Sequence, residues 1–155
     1  MIELPEDFRD LLLCLCDAGA DFLVVGGDAV AFYGHPPATG DLDVLVRTDP
    51  DNAVRVYHAL AEFGAPIDAF DVRVEDFATY DGVLQIGVPP FRVDILTSIT
   101  GVSFAQARMG SSSFELDGRT VPVIGRDALL ANKRAAGRPQ DAADVVALEA
   151  SASHG

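Results

Sequence analysis

Three aspartates and two glycines carry the chemistry this sequence can offer. The apolar run Phe22-Leu-Val-Val-Gly26-Gly27 ends in a glycine pair. After thirteen intervening residues comes Asp41-Leu42-Asp43, and a third carboxylate, Asp94, stands inside a second apolar run, Phe91-Arg-Val-Asp-Ile-Leu96. A carboxylate within an apolar strand is costly unless something neutralises it, and a divalent cation is the neutraliser that also brings chemistry. Residues i and i+2 of a strand project from one face about 7 Å apart, so Asp41 and Asp43 can flank one cation or bracket two. Asp94 shares its face with Arg92, while Val93 and Ile95 point the other way. If the two strands are neighbours, the three carboxylates converge on an oxygen-rich site of the kind Mg²⁺ favours when phosphates supply the remaining ligands. A turn at Gly26-Gly27 that opens a helix then offers N–H groups and the positive end of the helix dipole to those phosphates.

The elements that must hold these groups can be read from periodicity. Apolar residues at Phe8, Leu11, Leu12, Leu15 and Cys16 predict a helix over Leu4 to Ala18, stopped by Gly19. A buried strand over Asp21 to Val25 follows, then the glycine turn, then a short helix over Asp28 to Tyr33 ended by Gly34 and Pro36-Pro37. Alternation predicts a strand over Asp41 to Arg47, and Pro50 to Phe63 reads as an amphipathic helix between Asp49 or Pro50 and Gly64. The acidic stretch Ala65 to Tyr80 has no clear period. Val83 to Val88 and Phe91 to Leu96 read as paired strands, and Phe114 to Leu116 with Thr120 to Val123 as a hairpin across Asp117-Gly118. Two helices, Asp127 to Ala136 and Pro139 to Ala150, close the chain before a frayed tail over residues 151–155.

Bulk properties narrow the function classes. With 155 residues, 49% of them hydrophobic, the chain has the size and apolar content of one domain, placed at residues 1–150. No apolar stretch approaches a membrane span and the N-terminus is acidic, so a cytoplasmic protein is expected. Cys14 and Cys16, two apart in a helix, point in different directions and are read as reduced thiols. The net charge of −13, from 24 acidic and 11 basic residues, argues against an extended nucleic-acid surface. Among those basic residues Lys133 is the single lysine.

The order of these parts resembles a known family. The run Val25-Gly-Gly-Asp-Ala-Val-Ala-Phe-Tyr-Gly34-His-Pro-Pro-Ala-Thr39-Gly-Asp41-Leu-Asp43 is similar to the signature of minimal nucleotidyltransferases of the DNA polymerase β superfamily. Gly87-Val-Pro-Pro-Phe-Arg-Val-Asp94-Ile-Leu-Thr-Ser and Asn132-Lys133-Arg-Ala-Ala-Gly-Arg138-Pro-Gln-Asp141-Ala-Ala-Asp144 look like its downstream blocks, so the resemblance runs from about residue 20 to 148. It implies an α+β fold: a short mixed sheet backed by helices, with a helical C-terminus. It also implies that Gly26 and Gly27 hold phosphate, with Thr39, Lys133 and Arg138 on the nucleotide. Asp41, Asp43 and Asp94 are implied as catalytic and metal-binding, taking two Mg²⁺ ions or Mn²⁺. Relatives commonly carry an arginine in a Gly-x-Pro-Arg-x-Thr turn, where this chain has Pro37.

The implied reaction is transfer of a nucleoside monophosphate from a triphosphate such as ATP to an acceptor hydroxyl, releasing pyrophosphate. The acceptor could be a small molecule, a protein hydroxyl or an RNA end. The alternative is a catalytically weakened nucleotide- or partner-binding module, such as a toxin–antitoxin component, and a homodimer fits either. Asp28, directly after the glycines, is expected either close to phosphate or, in the commoner role for Asp there, as cap of the short helix. Asp141 suits the first turn of the last helix, and Asp144 is expected to pair with Arg138 or Lys133.

Overall fold

The computed structural model describes residues 4–34, 41–79, 82–87 and 92–152. A six-stranded mixed sheet runs through it in the order β3-β4-β2-β1-β6-β5. Strand β1 (Phe22–Val25) pairs antiparallel with β2 (Leu42–Val46) and parallel with β6 (Arg119–Val123). On the other side of β2 lies β4 (Val93–Leu96), parallel to it, and β3 (Val83–Ile86) and β5 (Ser112–Leu116) close the edges in antiparallel pairs. Both hairpins expected from sequence are present, although the Pro89-Pro90 turn lies outside the described residues.

Every side chain of β1 is buried, which is why Phe22-Leu-Val-Val is apolar without alternation: this strand is covered on both faces. Helix α1 (Glu6–Asp17) contributes Phe8, Leu11, Leu12 and Leu15 to the core and packs beside α3 (Pro50–Phe63). The ends of α3 follow the sequence signals. Asp49 caps the N-terminus by accepting a 2.7 Å bond from the Asn52 N–H, Pro50 takes the first turn, and Gly64 ends the helix left-handed. Helices α5 (Arg126–Ala136) and α6 (Pro139–Ala152) pack on each other after β6.

Three local expectations change. The glycine pair does not precede the short helix but forms its first two residues, since α2 spans Gly26–Phe32 with Val25 as N-cap. A short helix absent from the sequence reading, α4 (Phe104–Arg108), is held by a capping box between Ser103 and Gln106. The acidic stretch after α3 becomes a series of turns and a 3₁₀ segment, Val74–Ala78, that sinks Phe77 into the core. No helix among the described residues is long and apolar enough to cross a membrane.

Candidate active site

Strand register builds the site. Asp43 on β2 is the direct parallel partner of Asp94 on β4. One step toward the strand entrances, the Leu42 N–H donates to the Arg92 carbonyl at 2.9 Å, which sets Asp41 beside Arg92. Two-residue alternation therefore lays Asp41, Asp43, Arg92 and Asp94 on one face, with Leu42, Val44, Val93 and Ile95 buried behind. Strands β2 and β4 are thus neighbours, the condition on which the expected convergence of the three carboxylates depends.

The glycine turn touches the same face from the other side of β2. Val25 pairs with Asp43, so the chain leaves β1 directly over that carboxylate. Gly26 has φ +67, and a methyl group there would land 2.3 Å from Asp43 Oδ2. Both the backbone angle and the approach of Asp43 require glycine. Thr39 lies outside the described residues.

Asp28, the third residue of α2, is not its N-cap. It is 7% exposed, and its Oδ2 is buried without a hydrogen-bond partner among the described residues. Burial, followed by the charges of Asp43 and Asp41, pushes its carboxyl up to about 6. Asp28 thus adds a fourth acid to the cluster, where sequence reasoning favoured capping. Asp43 is likewise pushed up to about 6, by burial and then by Asp94 and Asp41, with Lys133 and Arg92 opposing. Burial also raises Asp94, against the opposing pull of the Arg92 guanidinium.

The cations nearby are already engaged. Arg92 spans the acids, with Nη2 at 2.8 Å from Asp41 Oδ2 and Nε at 3.1 Å from Asp94 Oδ1. Lys133 is buried, and its Nζ lies 3.2 Å from Asp141 Oδ1 and 3.1 Å from Asp144 Oδ2. Arg138 clamps Asp141 through Nε at 2.6 Å while its side chain stays 72% exposed. Burial pushes the Asp141 carboxyl up, but bonds from Arg138 and Lys133 outweigh it and hold the group below its usual range. The expected pairing of Asp144 is met by Lys133. Lys133 and Arg138 each stand close enough for their charge to be felt with that of Asp43, so the last sequence block borders the carboxylate face.

The ligand atoms this face offers are all carboxylate oxygens, beside the Arg92 guanidinium, and burial and mutual repulsion favour a compensating cation, so the residues fit Mg²⁺ or Mn²⁺ chemically. As they stand, no three His, Cys, Asp or Glu side chains among the described residues are drawn together closely enough to hold a metal ion. A 360 Å³ pocket under the turns after α3 is lined by Phe70, Phe77, Leu84, Ile95 and Thr97. Ile95 points away from Asp94 by strand alternation, which places this pocket behind the carboxylate face.

No family model matches the chain, and a search by sequence among curated proteins finds no match. Its fold is similar to the crystal structure of an antigenic nucleotidyltransferase-like protein from Paracoccidioides brasiliensis, with a TM-score of 0.51 at 15% identity. The match covers 94% of this chain and 77% of that one. The mixed sheet, its helices and this likeness together show a nucleotidyltransferase-type α+β fold.

Proposed function

We propose that this nucleotidyltransferase-type fold carries a working transfer site, moving a nucleoside monophosphate from a triphosphate to an acceptor hydroxyl. The observation that carries the reading is the pairing of Asp43 with Asp94 on parallel neighbouring strands, with Asp41 on the same face. In this reading Asp41, Asp43 and Asp94 would hold two divalent ions, which when bound would supply charge neutralisation for the transfer. The acceptor oxygen bonds to the α-phosphorus as the bond to the bridging oxygen breaks and pyrophosphate leaves. The acceptor's proton passes to Asp94 in this reading. Gly26 brings backbone against Asp43, and Gly26 and Gly27 would hold phosphate in this reading. Lys133, Arg138 and Thr39 complete the nucleotide contacts in this reading.

The test is incubation with each labelled nucleoside triphosphate and Mg²⁺, offering small hydroxyl compounds, protein and RNA ends as acceptors. Transfer is expected with the native chain and not with Asp41→Ala/Asp43→Ala. Failure of transfer to every acceptor class, together with no triphosphate binding, would sink the reading.

A second reading, a nucleotide-sensing or partner-binding module such as a toxin–antitoxin component, draws on one observation. Lys133, Arg138 and Arg92 are each committed to carboxylates rather than presented to a ligand. Here a triphosphate with Mg²⁺ raises the melting temperature and the shift survives Asp94→Asn; under the transferase reading Asp94→Asn abolishes it.

A further inference from the structure

Arg92 is placed unlike any other cation of the chain. It sits inside the carboxylate face, and strand register rather than side-chain flexibility puts it there, because its own carbonyl accepts the Leu42 N–H beside Asp41. Its guanidinium reaches both flanking acids, at 2.8 Å to Asp41 and, by Nη2, at 3.3 Å to the second oxygen of Asp94. The side chains of Asp41 and Asp94 are 23% and 12% exposed, and that of Arg92 is 30% exposed. The grip on Asp94 is imperfect: Nε and Oδ1 face each other at 3.1 Å, yet neither completes a hydrogen bond.

We infer that Arg92 is a resident counter-cation that competes with a divalent ion for Asp41 and Asp94, and that a triphosphate relieves this competition by offering the guanidinium another anion. The inference rests on reading this face as the ion and triphosphate site. An ion arriving alone must displace two charge-assisted contacts and leave the guanidinium beside it, with like charges close together. An ion arriving with a triphosphate meets a different balance. The planar guanidinium turns to phosphate oxygens, for which its fork geometry is suited, and both carboxylates are released to the metal. Ion and phosphate then favour each other's binding by the same factor, as linkage requires. Through this exchange the site resists bare ions and accepts the ion–triphosphate complex.

Calorimetric titration of the intact chain separates the outcomes, using Mn²⁺ alone and then Mn²⁺ complexed with inorganic tripolyphosphate. Arg92→Gln is expected to bind bare Mn²⁺ about tenfold tighter than the native chain and the complex about tenfold more weakly. Arg92→Lys, which keeps the charge but not the fork, is expected to fall between. A merely structural Arg92 would weaken both together, since disorder in β4 spoils every ligand. If the native chain binds the complex but Arg92→Gln and Arg92→Lys bind bare Mn²⁺ no tighter than it does, the competition is refuted and the site reading stands. If no variant and not the native chain binds either species, both fall.

Discussion

Asp43 shows at a single residue how a candidate site conflicts with stability. Its carboxyl normally titrates at 3.8 and is pushed up to about 6 in the fold. Between those values the folded chain holds a proton that the unfolded chain has released. The stabilising contribution is therefore complete below pH 3.8 and lost as pH rises through about 6. At pH 7.5 the ionised group opposes folding, by roughly 3 kcal/mol from the size of the shift. Asp43→Asn is expected to raise the melting temperature of the metal-free chain by several degrees at pH 7.5, with the gain shrinking toward pH 4.5. Melting curves at the two pH values check this, and an equal or negative shift at pH 7.5 would contradict it. Gly26→Ala is expected to lose about 2 kcal/mol or more, combining the left-handed backbone with the collision at Asp43. Gly64→Ala, with φ +90 but nothing within 4 Å of the added carbon, is expected to lose only the backbone share, near 1 kcal/mol, and chemical denaturation of the two separates the contributions.

At the scale of elements, two buried polar groups tie the pieces together. Asn52, on the first turn of α3 and fully buried, accepts from the Asp21 N–H at 2.7 Å and donates to the carbonyls of Asp21 and Arg47 at 2.9 and 2.8 Å. It joins the entry of β1, the exit of β2 and the start of α3. Asn52→Leu leaves the Asp21 N–H and the Arg47 carbonyl without this partner, while the Asp21 carbonyl keeps the Arg47 N–H, and is expected to cost about 2–3 kcal/mol in urea unfolding. Lys133→Met leaves Asp144 without its cation and Asp141 with Arg138 alone, with an expected loss of about 3 kcal/mol in the nucleotide-free chain. The Asn52 role is not visible in a linear pattern, because it depends on which strand ends come to lie together, whereas the pairing of Asp144 with Lys133 was among those expected from sequence. What was legible is local. Asp49 and Gly64 bound α3 by chemistry that acts within a few residues, and alternation alone put Asp41 and Asp43, and separately Arg92 and Asp94, on common faces. The pairing of those faces needed the parallel register of β2 with β4. Asp28 reads more readily as a cap because Asp commonly caps short helices, and only the position of β2 reveals it as a fourth acid facing Asp41 and Asp43. Helix α4 is five residues long, too short for a period to show.

The molecule as a whole is strongly acidic, at −13, and its nearest cations are spent internally on Asp41, Asp94, Asp141 and Asp144. Self-repulsion of this size is screened by salt, so the melting temperature is expected to rise between 10 mM and 200 mM NaCl, where the Debye length drops from about 30 Å to below 10 Å. A flat or falling curve in a differential scanning experiment would contradict this. The same charge makes a long polyanion a poor ligand, whereas a triphosphate that arrives with its own divalent ions carries much of its neutralisation with it. The account turns on the carboxylate face accepting that combination, and one measurement addresses it most directly: calorimetric titration of a nucleoside triphosphate into the chain with Mg²⁺ present, in the native protein and in Asp41→Ala/Asp43→Ala. Saturable binding by the native chain that is lost in the double variant is predicted. Binding of equal strength in both, or in neither, would contradict it.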